Sequence, residues 1–225
     1  RNECPELFLR THFLMHDKNM KKKLLRNKLL GAACLLLLPL GAGAQVQLDS
    51  VGRDAKYVNN IIARSQKIVD ALQLTDKSSK QNVLHIICNR YFLLNDIYEK
   101  FGKNKAERDA ELYKHHFEFA ANLENYLSEK QVEQVKDGMT FGVVPKTYQA
   151  HLEMIPSLKE NEKLQILNWL KEAREFAIDA ENSKAKHGWF GKYKGRINNW
   201  LTKRGYDLKA EREGWYKRIE AAKKK

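Results

Sequence analysis

The segment His187-Gly188-Trp189-Phe190-Gly191-Lys192-Tyr193-Lys194-Gly195-Arg196-Ile197-Asn198-Asn199-Trp200 holds the densest chemistry in the chain. Wound as a helix, it puts Trp189, Lys192, Arg196 and Asn199 on one stripe, at offsets of 3, 7 and 10. A Trp ring can stack on the C–H face of a sugar, and Lys, Arg and Asn donate to hydroxyls or to a carboxylate. Arg196 can also pair with a carboxylate through two prongs, which a Lys cannot, so it is expected to face a ligand. His187, Tyr193 and Lys194 complete this ring-and-donor surface. The three glycines should each weaken the helix by about 1 kcal/mol relative to Ala. Close approach of another helix, or of a ligand, to the bare backbone would offset that loss. The alternative is tight packing with a solvated basic face.

Two arginines raise a second question. Arg90 falls within an apolar helical stripe between Ile87 and Leu94, and Arg174 falls between Leu170 and Ile178. Each must snorkel or find a buried partner, because an unpaired buried charge costs several kcal/mol. Glu172, Glu175 and Asp179 share an acidic face that could supply partners. The result is a structural ion-pair network or the polar walls of a pocket. Glu175 and Asp179, one turn apart, could also approach the roughly 5–9.5 Å spacing of glycosidase carboxyl pairs, although they point along one face. A polysaccharide lyase would draw instead on Lys192, Tyr193, Arg196 and His187. Glu111, His115 and Glu118 share a helix face but form no closed ligand set, so neither a metal nor a cofactor is expected. Cys88 sits among apolar neighbours and is expected to be an inert core residue.

The elements that must position these groups are helices. Period 3.6 recurs throughout and sustained alternation is absent. The spacing predicts helices over 51–72, 79–101, 106–126, 128–136, 146–154, 157–180, 183–203 and 208–222. Their expected starts include a Ser128–Gln131 capping box and caps at Ser157 and Ser183. Residues 137–142 are expected to be an irregular connection. The fold class is therefore all-α, a single compact bundle of about six to eight helices.

Ahead of the bundle, Met20 begins a basic stretch with Lys21, Lys22, Lys23, Arg26 and Lys28. An apolar run, Leu29–Leu40, and Ala42-Gly43-Ala44 follow. That is a secretory signal peptide, too short in its apolar part to span a membrane. Residues 1–19 are expected to be an upstream extension, 20–44 a leader and 45–225 one helical domain, periplasmic or secreted after cleavage near Ala44. The mature part keeps Cys88 alone, so it can form no internal disulfide. Its charge is uneven: residues 183–225 carry 14 basic and 4 acidic side chains, against 19 and 21 over 45–182. A basic C-terminal region favours anionic partners such as acidic sugars, and export argues against nucleic acid.

Several blocks carry a family likeness. They are Lys136-Asp137-Gly138-Met139-Thr140-Phe141-Gly142-Val143-Val144-Pro145 with Tyr148, the Glu-Ala-Arg-Glu run at 172–175, Asp179, the segment Lys186–Asn199, and Asn89-Arg90-Tyr91 with Asn95. The chain resembles a domain-of-unknown-function family of secreted helical proteins from polysaccharide-degrading Gram-negative gut bacteria, candidates for sugar binding. The resemblance implies a carbohydrate-binding accessory role in polysaccharide utilisation, without assigned catalytic residues. A lyase or hydrolase on the same substrates is the first alternative. A periplasmic helical chaperone is the second, suggested by Leu127-Ser128-Glu129-Lys130-Gln131.

Overall fold

Short polar side chains start most of the helices. In this computed structural model, which describes residues 45–224, Asp54 accepts from the Tyr57 N–H at 2.8 Å and opens α1, Ala55–Ala71. Asp76 accepts from Ser79 at 2.6 Å and opens α2, Lys77–Phe101. Asn104 begins α3, Lys105–Glu124. Gln131 accepts from the Ser128 N–H at 3.0 Å at the start of α4, Glu129–Met139. After α5, Val143–Met154, come α6, Glu160–Ile178, α7, Ser183–Lys203, and α8, Leu208–Lys223. Each cap satisfies an N–H that has no partner within its own helix. The described residues are thus all helix and connection, as the periodicity predicts. The expected upstream extension and leader lie outside them. No helix among them is long and apolar enough to cross a membrane.

Several boundaries differ from expectation, among them the start of α1 at Ala55 instead of 51 and of α5 at Val143 instead of 146. The long helix α6 is capped by Lys159, whose N–H donates to Glu162, and not by Ser157, which lies in the preceding turn. Asn182, not Ser183, caps α7 by accepting from Ala185 at 3.0 Å. The block expected as an irregular connection over 137–142 is helical through Met139. Gly138, inside α4, lets that helix pack close to α1, where a side chain would meet Ile68 at 3.0 Å. Only Thr140, Phe141 and Gly142 turn the chain, with Phe141 and Gly142 both left-handed at φ 64°.

The apolar faces form two clusters. One gathers α1 to α4 around Ile87, Phe92, Leu123 and Val135. The other gathers α5 to α7 around Ile166, Leu170, Phe190 and Ile197. Helix α6 belongs to both, Ala177 facing the second cluster and Ile178 the first. It packs against α4, α5 and α7. Its outward face is therefore framed by helices from both halves. Cys88 is a fully buried member of the first cluster, and burial pushes its thiol pKa up.

Candidate functional site

At about 100° per residue, Glu172, Glu175, Phe176 and Asp179 occupy a single arc of α6 on the side away from Leu170 and Ala173. The arc meets α7 along one edge and α3 and α4 along the other.

On the α7 edge the Phe176 ring lies 4.7 Å from Trp189, nearly parallel at 18°, and 6.4 Å from Tyr193. Phe176 is 46% exposed, Trp189 half-buried and Tyr193 buried. Lys192 Nζ sits 4.4 Å over the Trp189 ring. The ring that fronts solvent is therefore that of Phe176, with Trp189 behind it. The Tyr193 hydroxyl donates to Glu172 at 2.7 Å. Burial and that carboxylate push its pKa up to about 12, so it stays a neutral donor. Arg196 lies 3.7 Å from the same Glu172 and 4.6 Å over the Trp169 ring, with its side chain 53% exposed. It is held at the surface and is not drawn into the core.

On the other edge the two buried arginines find carboxylates. Arg90 pairs with Asp179 and donates to the His115 carbonyl at 2.8 Å. Arg174, 1% exposed, turns away from the acidic face of its own helix toward α4. It donates to Asp137 at 2.8 Å and to Glu133 at 2.5 Å, and reaches Glu175 only at 3.5 Å. It is buried in an ion-pair network between α6 and α4. His116 Nδ1 is 2.6 Å from Asp179, and Lys136 donates to Glu175 at 3.0 Å. Glu175 and Asp179 are thus tied into one network with His116 between them, and do not oppose each other across a cleft. Lys186, 5% exposed, donates to the Ile178 carbonyl at 3.2 Å. Burial lowers its pKa to about 8, with Asp179 opposing the shift and Arg90 adding to it.

The remaining expected residues separate. His187 and Lys194 are on the opposite flank of α7 from Trp189 and Arg196. His187 stacks on Phe141 at 5.0 Å and 29°. Lys194 and Asn198 lie toward His151, whose pKa is lowered chiefly by burial. Asn199 is exposed between Lys192 and the end of α7. Gly188, Gly191 and Gly195 line an exposed ridge where a side chain would meet nothing within 4 Å. The expectation of a close helix at these glycines is therefore corrected: the ridge faces open space.

Sequence reasoning missed Phe176, His116 and Glu133, and gave Lys136 and Asp137 no role beyond the family likeness. His116 had a signal: with Leu112, Phe119 and Leu123 it follows the apolar spacing of α3, as Arg90 does in α2. His115, singled out with Glu111 and Glu118, pairs with both along the α3 surface, at 3.6 and 2.7 Å.

The network sets an acid limit on stability. Burial would raise the Glu133 carboxyl, but the hydrogen bonds from Arg174 and Lys171 outweigh it and hold the pKa at about 2, against an ordinary 4.5. A depressed carboxylate stabilises the fold above its unfolded pKa and loses that contribution as pH falls through the folded value. Allowing for partial exposure, Glu133 should contribute about 1–2 kcal/mol near neutral pH. That contribution should disappear between about pH 4.5 and 2. Urea melts across that range should show the decline, and Glu133→Gln should flatten it.

A family model of proteins of unknown function, DUF3826, matches residues 58–106 and 99–221. A search of curated proteins finds no match. The chain belongs to the DUF3826 family.

Proposed function

We propose that this DUF3826 protein is an exported carbohydrate-binding accessory protein of the envelope of a polysaccharide-degrading bacterium, selective for acidic sugars. Its saccharide surface is the seam between α6 and α7. The observation that carries the reading is the Phe176–Trp189 stack, with a large ring left open to solvent beside Lys192, Arg196 and the fixed Tyr193–Glu172 pair. An exposed ring offers a face for the C–H side of a pyranose, and the cations beside it suit a uronate carboxylate. The basic charge of the C-terminal region adds long-range attraction for an acidic glycan. The leader motif ahead of Gln45 supports export.

Calorimetric titration with neutral oligosaccharides and with oligouronides tests the reading. Oligouronides should bind, and Arg196→Ala should weaken them by roughly 10- to 100-fold, the loss of about 1.5–3 kcal/mol from a charge-assisted contact. Its melting temperature should change little, because Arg196 is half exposed. Arg196→Lys should lose nearly as much as Ala. Phe176→Ala should weaken neutral and acidic sugars alike. Absence of binding by folded wild-type protein would remove the proposal.

A further inference from the structure

His116 lies on the edge of the α6 face opposite the proposed saccharide seam, with its ring oriented by Asp179. Its Nδ1 is 2.6 Å from Asp179 Oδ2, while Arg90 engages the other oxygen of that carboxylate. The Asp179 backbone carbonyl is held as well, by the Tyr98 hydroxyl at 3.0 Å. With Asp179 accepting a hydrogen bond from Nδ1–H, the imidazole keeps the tautomer whose Nε2 carries a lone pair. Among the described residues Nε2 has no hydrogen-bond partner. The nearby carboxylate, Glu175 Oε2, stands 3.8 Å away and is itself held by Lys136. The two carboxylates that flank the ring are each paired with a cation, Asp179 with Arg90 and Glu175 with Lys136. Phe176, on the same arc of α6 as Glu175, ties this face to the seam where a glycan would lie.

Resting on the carbohydrate reading above, we infer that His116 is the general base of a β-elimination that cleaves uronide polymers held on the α6 face. Nε2 takes the proton from C5 of the uronate, next to its carboxylate. The C–H electron pair becomes the C4=C5 double bond. The C4–O bond breaks with its pair going to oxygen, and the imidazolium returns the proton to that oxygen. The products are an unsaturated uronide and a shortened chain, with no water, oxidant or metal consumed. The substrate carboxylate takes the place of Glu175 on Lys136, and that pairing eases removal of the C5 proton. Asp179 is a positioning residue that orients His116.

The test uses polygalacturonate, alginate and chondroitin with the full mature chain, following binding by calorimetry and elimination by the ultraviolet absorbance of the new double bond. At least one polymer should bind and be cleaved. His116→Gln should keep binding within about twofold and lower the rate by roughly 10²–10⁴-fold, the usual contribution of a positioned base. Asp179→Asn should lower kcat with KM unchanged, a split that loss of packing alone does not produce. His116→Gln keeps the test independent of whether Asp179→Asn folds with Arg90 unpaired. Binding without unsaturated product from any polymer, or cleavage unchanged in His116→Gln, overturns the inference and leaves the binding proposal standing. Absence of binding overturns both.

Discussion

Arg174→Ala is expected to cost about 3–5 kcal/mol, the range for removing one partner of a buried ion pair. The side chain is 1% exposed and bridges α6 to α4 through Glu133 and Asp137. Its removal strands Asp137, leaves Glu133 with Lys171 alone, and opens a void where the stem packed. For a domain of this size the melting temperature should fall by roughly 10 °C. Arg174→Met separates the terms, since it refills the void and removes only the charge. It should recover about half the loss. A loss below about 1 kcal/mol in the Ala variant would place the pair with solvent-exposed ion pairs and dissolve the account of α4 and α6 as an ionically joined unit.

The opposite result is expected from Gly188→Ala, Gly191→Ala and Gly195→Ala combined in α7. A side chain at each meets nothing within 4 Å, and none of the three has a positive φ. Each replacement should stabilise the helix by about 0.8–1 kcal/mol, so the triple variant should gain about 2–3 kcal/mol in urea denaturation. Nothing inside the molecule asks for a bare backbone on this ridge. The same variant therefore also tests the extent of the proposed saccharide surface. If the glycan rests on the ridge next to Lys192 and Asn199, the stabilised protein should lose oligouronide affinity. Unchanged affinity would confine the ligand to Phe176 and its neighbours. A triple variant less stable than wild type would refute the open placement of the ridge.

The glycines show what kind of information the sequence lacked. Their weakening of a helix is an intrinsic backbone property and is readable from residue type alone. Whether a neighbour or solvent lies against them depends on how α7 is rotated in the bundle, which its own sequence does not specify. Trp189 is a similar case. Its stripe with Lys192 and Arg196 was readable from periodicity, but the ring that covers it, Phe176, comes from another helix.

The helices, their approximate spans, most of their inward faces and the need of Arg90 and Arg174 for buried partners were all determined by the sequence. These follow from local rules: the 3.6-residue period, capping side chains, and the free energy of leaving a charge unpaired in an apolar stripe. The choice of partners was decided by tertiary structure. The acidic run on α6 lies beside Arg174 in sequence, yet its guanidinium makes its shorter pairs with Glu133 and Asp137 on α4, the helix that its buried face packs against, and reaches Glu175 only at 3.5 Å. Asp179, left free by that choice, joins Arg90 from α2 to His116 from α3, groups 89 and 63 residues away along the chain. Helical periodicity fixes which face a residue occupies. Only the packing of one helix against another fixes what that face meets.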